Sequence, residues 1–229
     1  MHTLRLLRSG LAAVTILSAA SCEQISSHRL EAITADARNA RREGDGPLLA
    51  GETVAAGTTI ETAASGRADL LLLPNMLLRL DENAAAQIRE LTVRVDGNET
   101  SGGIRARAAG VRLDRGRFTA RLGQHGYNTA LLTFQTGRGE IRADGNALIE
   151  ITETREMTSA ICVRGHFDAS PLAADHVSTV WPGEALRMER GGARHVTLGA
   201  PERAEAEARC SRVEAALAFE ASAQLEARR

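Results

Sequence analysis

The sequence predicts a mainly β domain closed by one C-terminal α-helix, and three observations on the 229-residue chain carry that expectation. Short apolar or β-branched runs recur between residues 58 and 180. Clusters of Gly, Asn, Asp and Pro separate them, as turns between strands require. Only the final segment, from Pro201, spaces its apolar residues as a helix does.

The elements follow in chain order. Residues 1–8 carry Arg5 and Arg8 and no acid, and residues 11–20 are an apolar run of about ten residues ending in small side chains. The run is too short to span a bilayer stably, and it fits a secretory signal peptide. Leu17-Ser18-Ala19-Ala20-Ser21-Cys22 resembles a bacterial lipobox, in which the cysteine is lipidated as the signal is removed, although Ala19 stands where Leu is usual. The expected organisation is therefore a signal peptide over 1–21 and a tether over 22–29 anchored at Cys22. Ordinary signal cleavage nearby and an uncleaved anchor are the alternatives.

Residues 30–43 are rich in Ala, Arg and Glu, yet Leu30, Ala32, Ile33, Ala35 and Ala37 make no helical stripe, so local signals leave this segment open. After the turn cluster Gly44-Asp45-Gly46-Pro47, candidate strands fall at 58–62, 68–73, 76–80, 88–95, 111–113, 118–122, 131–135, 148–152, 159–163 and 177–180. Pro74-Asn75, Asp96-Gly97-Asn98 and Asp144-Gly145-Asn146 are turn signals, because Pro presets φ and Asn, Asp and Gly tolerate positive φ. Residues 97–110, containing Ser101-Gly102-Gly103, are expected to form the main internal loop. In the last segment Cys210, Val213, Leu217, Ala221 and Leu225 form one apolar stripe, and Glu205 can pair with Arg209 across a turn. This predicts a helix of about 25 residues, which either docks on the β domain or pairs in a coiled coil. Residues 193–229 are read as a linker and this helix.

Composition narrows the function. All 28 basic residues are arginine, against 29 acidic ones, and loss of Arg5 and Arg8 with the signal leaves 26 against 29. A near-neutral, slightly acidic chain with 3% aromatic residues predicts no nucleic-acid partner and no long stacking platform.

A family resemblance emerges from the first strands. Gly51-Glu52-Thr53-Val54, Gly57-Thr58-Thr59-Ile60-Glu61-Thr62, Ser65-Gly66-Arg67-Ala68-Asp69-Leu70 and Arg79-Leu80 with Asn83 together resemble a FecR-like domain. The likeness continues through Val111-Arg112-Leu113-Asp114-Arg115-Gly116-Arg117-Phe118, Phe134-Gln135-Thr136 and Val180-Trp181-Pro182-Gly183-Glu184-Ala185-Leu186. It implies that residues 30–192 form a short-stranded β-sandwich or solenoid-like stack, and that residues 30–42 are strand and not helix. Gly51, Gly57, Gly116 and Gly183 then fall where the chain must turn sharply or take positive φ. The chain departs from the family at the "R-G-T-x-F" corner, where it has Asp144-Gly145-Asn146-Ala147-Leu148; Val163-Arg164-Gly165-His166-Phe167 is a rival match. The best-known relatives are membrane-spanning regulators with a cytoplasmic anti-sigma part. Only residues 1–8 precede the apolar run here, so the resemblance implies the periplasmic half alone, a module for protein or glycan contacts in the bacterial cell envelope.

The chemistry-bearing residues are few. The sequence has no G-x-S-x-G elbow, no Walker loop and no H-E-x-x-H, and Gly102-Gly103 and Gly191-Gly192 lack a phosphate-binding context, so no cofactor is expected. His166 and Asp168 share a strand face but are short of the three or four ligands of a zinc site, and Asp175-His176 would join them only by coincidence of folding. Asp81-Glu82 are adjacent carboxylates that more often cover a turn than perform acid–base work. Trp181 is a core or edge plug, or else a sugar-stacking platform. The sequon Asn98-Glu99-Thr100 carries little meaning in a bacterial protein. With Cys22 lipidated, Cys162 and Cys210 are an even pair that forms either a disulfide or two buried free thiols. The expected function is a non-enzymatic binding or sensing module; an unrecognised periplasmic hydrolase and a purely structural lipoprotein are the alternatives.

Overall fold

The computed structural model describes residues 25–96, 103–123, 129–174 and 176–227, with side chains up to residue 215. Its strands are β1 (Ile25–Arg29), β2 (Ala32–Arg42), β3 (Thr53–Val54), β4 (Thr59–Leu73), β5 (Met76–Leu80), β6 (Ala85–Asp96), β7 (Ile104–Leu122), β8 (Thr129–Thr136), β9 (Gly139–Asp144), β10 (Ala147–Glu153), β11 (Met157–Arg164), β12 (Phe167–Pro171), β13 (Ser178–Val180), β14 (Glu184–Glu189) and β15 (Gly192–Thr197). One helix, α1 (Ala200–Ala227), follows. The chain is thus mainly β with a single C-terminal helix, as its sequence predicts.

The strands belong to one continuous sheet that folds over itself into two layers. In the first layer β2, β4, β5, the end of β7, β10, β11, β14 and β15 lie side by side, all antiparallel. The second is built from β1, β6, the start of β7, β8, β9, β12 and β13, with β7 and β8 parallel. β7 belongs to both layers. Residues 104–115 pair with β6, while residues 116–122 pair with β5 and β10.

Three strands pass between the layers, and each bends at a residue with an unusual backbone. In β2 the bend is at Asn39 (φ 48°), in β4 at Ser65 (φ 56°), and in β7 at Gly116 (φ 104°). At Gly116 the demand is also steric, since a Cβ there would lie 2.4 Å from the Cα of Ala84. Alternation then turns one face of each layer inward. Leu78, Phe118 and Ile149 from the first layer share one core with Val111, Phe134, Ile141 and Phe167 from the second. Three of the four phenylalanines, Phe118, Phe134 and Phe167, have no exposed surface. Burying each contributes about 2 kcal/mol.

Several boundaries differ from the sequence expectation. The pairs of short strands expected at 58–62 and 68–73, and at 111–113 and 118–122, are each one long bent strand, β4 and β7. The expected loop over 97–110 is shorter, because Ile104 to Gly110 already pair with β6. Residues 25–29, expected as tether, form β1 against β6, and residues 193–197, expected as the start of a linker, belong to β15. Cys22 and the sequon lie outside the described residues.

The helix covers the outer face of the first layer. Val213 packs with Ile33, Leu71 and Leu77, and Ala206 and Cys210 are fully covered. Charged contacts fix its position: Arg209 donates to both oxygens of Glu150 at 2.8 and 2.9 Å, and Glu214 receives Arg121 at 2.8 Å and Arg164 at 2.5 Å. The expected Glu205–Arg209 pair forms, at 2.7 Å. The stripe residues beyond Val213 lie outside the described side chains.

This docking places the two cysteines apart. Cys162 is paired in register with Ile149, so both point into the core, whereas Glu150 and Ile161 point out towards the helix. Cys210 sits on the helix and Cys162 on the far side of the sheet, so of the two states the sequence left open, a disulfide or two buried free thiols, the structure has the free thiols. Burial pushes each thiol up to about 12.

Candidate functional site

The residues singled out separately in the sequence come together on the outer face of the second layer. Arg142 on β9 faces Thr133 on β8 and Asp168 on β12, and Asp168 faces Thr179 on β13. Stepping two residues along each strand gives the next row: Leu131 opposite Asp144, then His166, then Trp181. His166 Nε2 lies 3.2 Å from a carboxylate oxygen of Asp144, and its ring stacks on the indole of Trp181, with centroids 5.2 Å apart and 29° between the planes.

Local chemistry explains why these rings stand on the surface. Trp181-Pro182-Gly183-Glu184 is a tight turn with Pro second and Gly183 third at φ 85°, a type II pattern. The Glu184 N–H donates to the Trp181 carbonyl at 3.0 Å, and the Glu184 carboxylate receives the Trp181 N–H at 2.9 Å. The turn places the indole outward. Trp181 keeps 55% of its surface exposed, so it is neither a core nor an edge plug. Gly165, at φ 74°, ends β11 and sets His166 beside it.

A groove of about 320 Å³ lies on the same face, lined by Leu131, Arg142, Asp144, Asp168, Ser170 and Val177, with neither ring among its lining residues. Thr179 donates to Asp168 at 2.6 Å, and Arg142 stands 3.7 Å from Glu140. The face therefore offers one aromatic pair, one guanidinium, three carboxylates and several hydroxyls over a small area. Val177 and Leu172 beside it are 60% and 80% exposed.

His166 and Asp144 form a dyad, yet among the described residues no hydroxyl or thiol is hydrogen-bonded to His166, so the dyad lacks a nucleophile to activate. No group of three His, Cys, Asp or Glu side chains among the described residues could hold a metal ion. His166 and Asp168 are engaged separately, one with Asp144 and the other with Thr179. Asp175 lies outside the described residues, and His176 is exposed in the adjoining loop.

Asp81 and Glu82 lie elsewhere, at the bent end of the first layer. Burial raises the Asp81 carboxyl against the opposing pull of Arg79 and Arg117. Glu82 accepts the Ser65 N–H at 3.2 Å, which makes it a turn-covering residue. Arg142 is not singled out by sequence and Asp144 only as a turn residue; the signal for both is strand register, which becomes readable only once β9 is recognised as a strand.

No protein-family model matches the chain, and no curated protein matches it. Two crystal structures of a protein assigned as an anti-sigma factor from Parabacteroides distasonis ATCC 8503, at 1.65 Å and 2.50 Å, are similar in fold at 12% and 11% identity. Their TM-scores are 0.45 and 0.43, and each match covers 62% of this chain and 60% of that one. The chain thus spans less than two thirds of their length, and a likeness of this strength carries no argument about what the protein does.

Proposed function

We propose that the protein is a non-enzymatic binding or sensing module of the bacterial cell envelope, lipid-anchored at Cys22 on the periplasmic side, which contacts a cell-wall glycan through the Trp181 groove. The observation that carries this reading is the exposed indole of Trp181 stacked on His166 beside a groove of hydrogen-bonding side chains. A sugar ring has one face of C–H groups and a rim of hydroxyls. It gains from an aromatic face for the first and paired polar groups for the second. The lipobox-like Leu17 to Cys22 segment and the resemblance to FecR-like domains support the envelope setting.

A second reading has its own observation. Val177, which lines the groove, and Leu172, just past the end of β12, add exposed apolar area at the end of the face away from Trp181 and enlarge it towards what a protein partner would cover. The test uses Trp181 as its own reporter, because the chain has one tryptophan. Titration with solubilised cell-wall glycan fragments should give a saturable change in indole emission. A flat response to these fragments, together with capture of one envelope protein that Trp181→Ala abolishes, would transfer the groove to the protein reading. No response and no capture would refute the groove as a recognition site.

A further inference from the structure

A second feature lies on the opposite side of the molecule, on the outer face of the first layer beside the helix. Cross-strand register lines up a row of arginines there. Arg38 on β2 faces Arg67 on β4, Arg117 on β7 faces Thr152 on β10, Thr152 faces Ser159 on β11, Ser159 faces Arg187 on β14, and Arg187 faces Arg194 on β15. Asp81, whose N–H donates to the Arg117 carbonyl, fills the step between Arg67 and Arg117. Neighbouring strands are about 4.8 Å apart, so the row extends for roughly 30 Å.

The guanidiniums in this row are unequally occupied. Arg67 is paired with Asp36 and Asp69, and Arg194 stands 3.8 Å from Glu189. Arg38 and Arg117 are exposed and Arg187 half-buried, and among the described residues none of the three is bonded to a carboxylate. The Nε of Arg187 is buried without a hydrogen-bond partner. These three stand three strands apart from one another, at the first, fourth and seventh places of the row. The hydroxyls of Thr152 and Ser159 lie between the last two. Arg38, Arg117 and Thr152 also line an open cleft of about 680 Å³.

The same end of the sheet carries more positive charge than the chain as a whole. Arg155 lies in the turn between β10 and β11, Arg190 in the turn between β14 and β15, and Arg138 donates to the carbonyls of Arg155 and Glu156. The facing acids are Asp81, Glu82, Glu153, Glu156 and Glu189, with Asp36 and Asp69 on Arg67; Glu82 is held by the Ser65 N–H, and Glu153 by the Gly137 N–H and the Thr158 hydroxyl. In a chain of 28 basic and 29 acidic residues, such a concentration of unbonded guanidiniums in one row is a local departure.

We infer that Arg38, Arg117 and Arg187 form a binding row for the carboxylate or phosphate groups of an extended anionic polymer, independent of the Trp181 groove. Guanidinium groups bind such oxyanions through paired N–H donors. The row crosses strands whose backbone groups are already paired on both sides, so a peptide laid along it would find no main-chain partners. A saccharide or phosphate chain, recognised through its charges and hydroxyls, fits this surface better.

The test measures binding of oligogalacturonate and of polyphosphate to the full chain at low and physiological salt, with wild type, R38Q/R117Q and R38Q/R117Q/R187Q. Micromolar to millimolar binding that weakens with salt, and falls at least about tenfold in the triple variant, is expected. Binding of one probe and not the other identifies carboxylate or phosphate as the recognised group. The control R29Q/R94Q/R212Q removes the same charge elsewhere and should bind as wild type. Should Arg187→Gln prevent folding, the double variant decides, with a loss of several-fold. The inference is overturned if neither probe binds at 1 mM, if the control weakens binding as much as the row variants, or if an acidic peptide of equal charge binds as tightly. Each outcome is separate from the Trp181 titration, since loss of either site leaves the other intact.

Discussion

Replacing Gly116 by Ala should destabilise the fold more than the same change at a positive-φ glycine with open surroundings, and Gly57 provides the comparison. Both residues have positive φ, 104° at Gly116 and 93° at Gly57. A Cβ at Gly57 would meet nothing within 4 Å, whereas at Gly116 it would lie 2.4 Å from the Cα and 2.5 Å from the Cβ of Ala84. Ala84 cannot easily yield. It is fully buried, and its N–H is held by the Thr62 hydroxyl at 2.9 Å. Backbone strain alone costs about 1 kcal/mol at either site. Overpacking against a fixed neighbour adds about 1 to 3 kcal/mol at Gly116 only. The expected losses are therefore about 1 kcal/mol for Gly57→Ala and about 2 to 4 kcal/mol for Gly116→Ala. Urea unfolding followed by far-UV circular dichroism measures both, and a larger drop in midpoint at an unchanged slope is the expected signature. If Gly116→Ala exceeds Gly57→Ala by less than about 0.5 kcal/mol, β7 does not cross Ala84 as closely as described, and the account of how the two layers join is wrong.

The helix and the thiols supply the remaining tests. Glu150→Gln should cost about 1 to 2 kcal/mol, less than a fully buried pair because Arg209 keeps 27% of its side chain exposed, and should raise hydrogen exchange in residues 200–215 before the strands are affected. The hydrogen bond from Arg164, and then the charges of Arg164 and Arg121, hold the Glu214 carboxyl below its usual 4.5 against the effect of burial. Its contribution is present above that value and lost as pH falls through the lower folded one, so Glu214→Gln should flatten the acid limb of stability by up to about 1 kcal/mol. An unchanged acid limb would mean that Glu214 does not anchor α1. Cys162 and Cys210 should both resist labelling in the native protein and both label fully after denaturation without reductant; a crosslinked peptide pair would contradict their placement on opposite faces.

The parts of the fold that were legible in sequence are those where local chemistry and tertiary context agree. Alternation in Leu78-Arg79-Leu80 gives β5 its two faces, and Pro74-Asn75 marks the turn before it, where Asn75 takes φ 61°. Gly51, Gly57, Gly116 and Gly183 all have the positive φ that their positions suggested. The strands absent from the local sequence signals, β1, β9, β14 and β15, are short and mix charged or small residues with their apolar ones, since one face or more is open to solvent. Strand length was misjudged where Ser65-Gly66 and Gly116 looked like ends: glycine bends a strand as well as terminates it. The site was legible residue by residue but not as a constellation. His166, Asp168 and Trp181 meet only through the register of β9, β12 and β13. The choice between a disulfide and two free thiols was not legible for a related reason, because which sheet face a helix covers depends on docking, and the charged partners Glu150, Arg121 and Arg164 that direct it are scattered along the chain.

The central claim is that Trp181 and its stacked partner form the recognition face. The most direct measurement is the affinity of wild type, Trp181→Phe and Trp181→Ala for solubilised cell-wall glycan fragments by calorimetry, with urea unfolding as a check that each variant remains folded. Because the indole is exposed at 55%, its removal should leave stability within about 0.5 kcal/mol. Loss of a stacking ring should weaken binding by about tenfold or more in Trp181→Ala, while Trp181→Phe, which keeps an aromatic face, should retain most of it. Equal affinities for all three proteins would contradict the account and remove the Trp181 groove as the site of recognition.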